Sequence, residues 1–137
     1  MNNIIFLVLS AFLLAIWSAV QAQQPTKIPR VGFVTGGSTT TEPQVEAFRR
    51  ALRDLGYIEG KTILVESRDL EGNPDRSPNL VAELVQLKVD VIVVSPITAI
   101  RAAKQATKTI PIVMLTSQDP VAIGLVDSLA RPGGNIT

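Results

Sequence analysis

The chain has 137 residues, a formal net charge of +1, and neither cysteine nor histidine. This length suffices for one domain with a buried core. The absence of both residue types excludes thiol nucleophiles, imidazole bases and zinc sites built from Cys and His. Acidic and basic residues are intermixed rather than clustered, which argues against a nucleic-acid partner, because such binding needs a basic surface.

The N-terminal segment predicts export. Residues 4–20 are almost continuously apolar, and no charged residue precedes Lys27. Val20-Gln21-Ala22 places β-branched and small residues at −3 and −1, so we expect a signal peptide over 1–22 and a linker over 23–29. An apolar run of this length could instead stay uncleaved as a membrane anchor. Both alternatives place the rest of the chain in the periplasm or another extracytoplasmic compartment.

The first half of the domain predicts two strands around one amphipathic helix. A buried strand is expected over Arg30–Val34, followed by a glycine turn. From Glu42 the apolar residues recur every three or four positions, which predicts a helix that Gly56 ends. The second strand is expected over Ile63–Ser67. The predicted inner face of the helix comprises Val45, Phe48, Leu52 and Leu55.

The second half continues the alternation. We expect a helix whose inner face carries Leu80, Leu84 and Leu87, and then a strand over Val89–Val94 that is apolar on both faces. The remaining predicted elements are a helix over Thr98–Thr107, a strand over Ile110–Leu115 and a fourth helix over Val121–Leu129. The predicted inner face of the first of these helices comprises Ala99, Ala102, Ala103 and Ala106.

Four strand–helix alternations predict an α/β fold over residues 30–137. The expected architecture is a doubly wound parallel sheet in three α/β/α layers, with the flavodoxin-like strand order 2-1-3-4 and room for a fifth strand. In such sheets, ligands bind beyond the carboxyl ends of the strands, where the winding reverses. Here that point lies between the first and third strands.

The loop after the first strand has the glycine spacing of a phosphate-binding P-loop, between Gly32 and Gly37. Ser38 stands where that motif requires lysine, and Gly32 lies inside the predicted strand. The dinucleotide fingerprint is also absent, so we expect no nucleotide cofactor. Backbone amides and the hydroxyls of residues 38–41 could hold a carboxylate or polar solute, or could cap the following helix.

Two further loops reach the same end of the sheet. Thr98 and Asp119 could contact a ligand or could cap the helices expected after them. No carboxylate pair or base accompanies Ser38 or Ser95, so a hydrolase is disfavoured and no catalytic or metal-binding residue is predicted. The candidate ligand-binding residues are Gly37, Ser38, Ser95, Thr98, Ser117 and Asp119.

The residues of these segments resemble a known family. IPRVGFVTGG (28–37), AAKQATKTIPIV (102–113) and DPVAIGLVDSLARPGGNIT (119–137) are similar to the ABC-transporter substrate-binding proteins of the TrpX-like family. The resemblance covers residues 28–137 and implies the type I periplasmic-binding-protein fold. It implies an exported protein that binds a small organic solute, such as an amino acid, between two lobes and delivers it to a membrane permease.

The resemblance also implies that the three loops supply the first lobe's half of the solute site. Pro96-Ile97 is bulkier than the small residues usual there in the family, which leaves the solute open. Family members continue past the position of Thr137 into a hinge and a second lobe, so the chain is expected to be the N-terminal lobe only. A membrane-anchored extracytoplasmic sensory module remains the alternative function.

Overall fold

The computed structural model describes residues 27–37 and 41–137. The predicted signal peptide, most of the linker and Ser38 lie outside the described residues. Every helix in the described part falls short of the length and apolar character that a membrane crossing requires. The elements are β1 (Arg30–Thr35), α1 (Thr41–Asp54), β2 (Leu64–Asp69), α2 (Ser77–Gln86), β3 (Val91–Val94), α3 (Ile97–Ala106) and β4 (Ile112–Met114).

The four strands form one parallel sheet in the order β2-β1-β3-β4, as predicted. The winding therefore reverses between β1 and β3. Beyond β4, Ile136 pairs with Ile112 in parallel, and the Thr137 amide donates to the Ile112 carbonyl at 2.8 Å. This pairing occupies the fifth position of the sheet, which the sequence pattern had left open.

The core has two parts, one on each face of the sheet. On one face α2 and α3 bury Leu84 and Ile100 against Ile92 of β3. On the other face α1 packs on β1, and the rings of Phe33 and Phe48 lie 5.1 Å apart. The central strands are thus covered on both sides, which accounts for their continuous apolar sequence.

Two predicted inward residues are exposed. Leu55 is 74% exposed, because α1 ends at Asp54 and Gly56 then adopts a φ of +87°. The Gly56 amide donates to the Arg53 carbonyl at 2.9 Å, which confirms the predicted stop but turns Leu55 away from the sheet. Ala106 is also exposed, since it ends α3, whereas Ala99, Ala102 and Ala103 are buried as predicted.

The predicted helix over Val121–Leu129 is wrong. The chain makes a turn over 120–124 and continues irregularly. Gly124 takes a φ of +73°, and its carbonyl and that of Leu125 accept hydrogen bonds from Lys104 Nζ at 3.1 and 2.8 Å. Leu125 and Val126 are both buried, so the apolar pattern reflects packing of an irregular segment on the core.

Asp90 ties the start of β1 to the start of β3. Its carboxylate accepts from Lys27 Nζ at 2.5 Å and from the Arg30 amide at 2.8 Å. The hydrogen bond from Lys27 and then that from the Arg30 backbone lower the pKa of Asp90 below its ordinary value of 3.8. Asp90 is therefore a charged anchor at this end of the sheet.

Asp90→Asn is expected to lower the free energy of unfolding by less than about 1 kcal/mol at pH 7, because the pair is partly exposed. The lowered pKa adds stability that is present above the ordinary pKa and is lost as the pH falls through the folded-state value. Urea unfolding of both proteins at pH 7 and pH 3 measures this difference. A difference that stays constant between the two pH values would contradict the role given to the charge.

Candidate functional site

The carboxyl ends of β1 and β2 are joined by a side-chain contact that the sequence analysis missed. Thr35 is buried, and its hydroxyl donates to Asp69 Oδ2 at 2.9 Å. Asp69 Oδ1 accepts from the Glu71 amide at 2.6 Å. The predicted second strand stopped at Ser67, two residues short, so Asp69 was not recognised as a strand-end residue opposite Thr35.

Gly37 lies where the loops after β1 and β2 meet. Its φ is +75°, and a Cβ on it would lie 2.5 Å from Glu71 Cα and 2.6 Å from Asp69 Oδ1. The neighbouring Gly36 carbonyl accepts from the Gly72 amide at 3.1 Å. Glycine is therefore required here for close approach of two backbones as well as for the turn. Ser38, the next candidate residue, lies outside the described residues.

The loop after β3 lies beside the loop after β1. A Cβ on Gly36 would lie 3.5 Å from Pro96 Cγ, and the Ser95 amide donates to the Val34 carbonyl at 3.3 Å. The two loops meet at the winding reversal, where an α/β sheet opens a crevice. The structure therefore brings the loops of Gly37 and Ser95 together as predicted.

Thr98 does not cap α3. The N-cap position belongs to Pro96, and no side chain in the described part of the chain caps that helix end. The Thr98 hydroxyl instead accepts from Ser77 Oγ at 3.0 Å, and Ser77, at the start of α2, is 1% exposed. The capping alternative for Thr98 is therefore wrong. Thr98 is exposed, its hydroxyl connects α2 and α3, and ligand contact by Thr98 stays a prediction.

The loop after β4 carries the last two candidates. Asp119 Oδ1 accepts from the amides of Val121 and Ala122 at 2.9 and 3.2 Å, which caps the turn that replaces the predicted helix. Asp119 Oδ2 has no hydrogen bond within residues 27–37 and 41–137. Ser117 is exposed beside it. The Leu115 amide donates to the Val94 carbonyl at 2.9 Å, so this loop follows the strand next to β3.

Carboxylates dominate the carboxyl end of the sheet. Asp69 ends β2, Glu71 and Asp75 follow it in the connection to α2, and Asp119 lies in the loop after β4. Arg76 offsets Glu71 through a 2.6 Å ion pair. Within the described ranges these side chains form no group that could hold a metal ion. Hydroxyls and carboxylates together suit a polar organic molecule that carries a cationic group.

Two cavities lie beside rather than within this set of loops. One, of about 380 Å³, lies between α1 and β2 and is lined partly by Thr35, Ser67 and Asp69. Another, of about 400 Å³, lies at the opposite end of the sheet, near Tyr57. Among the described candidates, Gly37, Ser95, Thr98, Ser117 and Asp119 line neither cavity. Gly37, Ser117 and Asp119 are exposed, and we call the surface of the loops after β1, β3 and β4 the shelf.

Thr98→Val is expected to cost about 1–3 kcal/mol of unfolding free energy, because the buried Ser77 hydroxyl loses its acceptor. Thr98→Ser keeps an oxygen there and should recover most of the loss. Chemical denaturation of these variants and of the Ser77→Ala/Thr98→Val double variant measures the coupling. Strict additivity of the two single effects would contradict the contact.

A family model described as ABC transporter substrate binding protein matches residues 27–137. A curated tyrosine-binding protein from Clostridioides difficile is 36% identical over 92 residues, which are 67% of this chain and 27% of that protein.

Two solved structures share the fold. One is the ligand-free, open structure of CD0873, a substrate binding protein with adhesive properties from Clostridium difficile, with a TM-score of 0.74, 27% identity, and coverage of 80% of this chain and 38% of that one. The other is an ABC domain from Streptococcus pneumoniae in complex with L-Trp, with a TM-score of 0.72, 24% identity, and coverage of 80% and 37%.

The chain thus spans less than two-fifths of the length of these relatives. The family match, however, covers every strand and helix of the described domain. The chain therefore belongs to the family of ABC transporter substrate binding proteins.

Proposed function

We propose that this chain supplies one wall of the solute site of an ABC importer's extracytoplasmic binding component. The observation that carries the proposal is the contact of the loops after β1 and β3 at the winding reversal, where Gly36 meets Pro96. Solute reaching this shelf would meet the amides near Gly37, the Ser95 hydroxyl and the loop of Ser117 and Asp119. Ser38 belongs to the same proposal on sequence grounds alone.

An amino acid is the proposed solute. The relative with 36% identity is named for tyrosine binding, and an α-amino acid carries both an ammonium and a carboxylate. Asp119 Oδ2, which accepts no hydrogen bond from residues 27–37 and 41–137, suits the ammonium, while the backbone amides of the first turn of α1 suit the carboxylate. The polar shelf offers complementary partners for both charged groups of one small molecule.

A second lobe and a membrane permease are the proposed partners. An open shelf covers a ligand from one side only, whereas tight small-molecule sites bury most of the ligand surface. The relatives are more than twice as long as the matched region, which leaves room for a facing lobe. Closure of two lobes over the solute would produce the form that a permease receives.

Two forms of the N-terminal segment are compatible with this function. Cleavage after Ala22 would release a periplasmic protein that begins at Gln23. The almost continuously apolar run of residues 4–20 is also long enough for a membrane-anchored form, in which the same domain serves as a sensory or ligand-binding module. N-terminal sequencing of the exported protein distinguishes them, since only the cleaved form begins at Gln23.

A binding role, rather than catalysis, is proposed for the hydroxyls of the shelf. Ser95 lies at the end of a strand with its amide bound to a neighbouring carbonyl, and the sequence contains no histidine to activate it. The chain's family is one of substrate-binding proteins.

A thermal-shift screen of the full chain with L-tyrosine, L-tryptophan and L-isoleucine tests the proposal, with glucose as a control solute. At least one amino acid should raise the melting temperature in a concentration-dependent manner. Stabilisation by the sugar alone, or by none of the amino acids, would contradict the amino-acid proposal.

Asp119→Asn is expected to weaken amino-acid binding about tenfold, equivalent to a lost charge-assisted hydrogen bond of about 1.4 kcal/mol. The asparagine retains an oxygen that can cap the turn, so unfolding free energy should change little. Asp119→Ala removes both functions and should in addition lose about 1 kcal/mol of stability. Unchanged affinity of Asp119→Asn in calorimetric titrations would limit Asp119 to capping.

A further inference from the structure

The end of the sheet opposite the candidate site exposes an apolar patch. Leu55, Tyr57 and Ile58, which we call the amino-end patch, are 74%, 41% and 52% exposed. They lie in the connection between α1 and β2, beside the cavity of about 400 Å³ whose apolar wall includes Leu52 and Ile63. Three large apolar side chains within four residues are unusual on a surface that meets only water.

Lysines lie at the same end of the sheet as this patch because of the topology. In a parallel sheet every connection that enters a strand lies at the amino end, and each such connection here carries a lysine. They are Lys27, Lys61, Lys88 and Lys108, which precede β1, β2, β3 and β4. No ion pair within the described ranges engages Lys61, Lys88 or Lys108.

The acidic residues at this end do not cancel these charges. Glu59 pairs with Arg49 at 3.2 Å, and Asp90 pairs with Lys27 at 2.5 Å. Asp54 is the acidic residue at this end that lies outside these two ion pairs. The carboxyl end carries the carboxylates of the candidate site instead. Basic side chains near helix C-termini interact favourably with the helix dipole. That interaction does not account for the exposed apolar residues at the same end of the sheet.

The first described residues, which follow the N-terminal apolar segment in the sequence, lie at the same end. Lys27 is held there by Asp90, and the Pro29 carbonyl accepts from the Leu64 amide at 2.9 Å. Six residues, 21–26, separate the apolar run from Lys27. Fully extended, they reach at most about 22 Å. While residues 4–20 lie in a bilayer, the amino end of the sheet is therefore held next to the lipid surface.

We propose that the amino-end patch and the lysines at the same end of the sheet form a surface that docks on an anionic lipid bilayer. The inference rests on the membrane-anchored form described above. Leu55 and Ile58 enter the acyl boundary, Tyr57 lies at the headgroup level, and Lys61, Lys88 and Lys108 meet lipid phosphates. The candidate solute site, at the other end of every strand, then faces away from the membrane.

The absence of cysteine from the chain allows a site-specific test. Ile58→Cys and, as the matched control at the carboxyl end, Gln118→Cys introduce single exposed thiols. Each full chain carries an environment-sensitive NBD label and is reconstituted into vesicles of phosphatidylglycerol and phosphatidylethanolamine, or of phosphatidylcholine alone. Vesicle flotation reports anchoring through residues 4–20, and quenching by brominated acyl chains reports contact of the labelled position with lipid.

In anionic vesicles we expect the label at position 58 to emit at shorter wavelength and to be quenched, while the label at 118 behaves as in water. In phosphatidylcholine, quenching at 58 should fall, because the lysine contribution is lost. A chain that floats without quenching at 58 would overturn docking and leave anchoring intact; a chain that does not float would overturn both.

Two other outcomes would also overturn the proposal. Equal quenching at 58 in both lipid mixtures would remove the role of the lysines. A vesicle-independent change at 58 that grows with protein concentration would assign the patch to a second copy of the chain.

Discussion

Gly37→Ala is expected to lower the free energy of unfolding by about 2–4 kcal/mol, since a left-handed non-glycine residue and a forced backbone shift each cost about 1–3 kcal/mol. The strain comes from the φ of +75°, and the shift from the Glu71 backbone 2.5 Å from the added Cβ. Neither Glu71 Cα nor its amide is the end of a flexible side chain, so the two loops must separate. Denaturant unfolding measures the loss.

Gly72→Ala is the matched control. Gly72 has nearly the same φ, +73°, lies in the partner loop, and has nothing within 4 Å of an added Cβ. Its substitution should cost only the conformational term of about 1 kcal/mol. The excess loss at Gly37 measures the contact between the loops, and equal losses at both glycines would contradict that contact.

Leu84→Ala is expected to cost about 2–5 kcal/mol, the range for a large-to-small change in a packed core. Leu84 is fully buried, and its Cδ1 lies 2.8 Å from where a Cβ on Gly32 would stand, so it fills the space that this glycine leaves over the sheet. Loss of the side chain opens a cavity between α2 and β1 that neighbouring backbone cannot close. Urea unfolding should show a lower midpoint.

Leu55→Ala is the control for Leu84→Ala, because it makes the same substitution at an exposed position. Because Leu55 is 74% exposed, its substitution should change stability by no more than about 0.5 kcal/mol. A loss at Leu55 as large as that at Leu84 would mean that Leu55 packs inward, as helical periodicity alone predicts. Similar small losses at both positions would contradict the packing described for α2.

The strand order could be predicted because the evidence for it is local. Val91–Val94 and Val31–Val34 are apolar on both faces, and a strand buried on both sides belongs inside a parallel sheet. The position of the winding reversal follows from that order and from right-handed connections. The loops at Gly37 and Ser95 were accordingly assigned to the correct end of the sheet.

The remaining features depend on contacts between distant residues. Helical periodicity over 121–129 arose from an irregular segment, whose conformation is set by Gly124 and by hydrogen bonds from Lys104. The Thr35–Asp69 and Ser77–Thr98 hydrogen bonds join residues 34 and 21 positions apart. Sequence pattern identifies such residues as polar loop positions but does not identify their partners.

We propose that the loops at the carboxyl end of the sheet receive an amino acid. Nitrogen-edited NMR of the full chain during titration with L-tyrosine tests it directly, and detects even the weak binding expected of an open shelf. We predict saturable shifts of the amides of Gly36, Gly37, Ser95 and Asp119, with those of Lys61 and Lys88 unchanged. Shifts confined to the amino end of the sheet, or none at high tyrosine concentration, would contradict the claim.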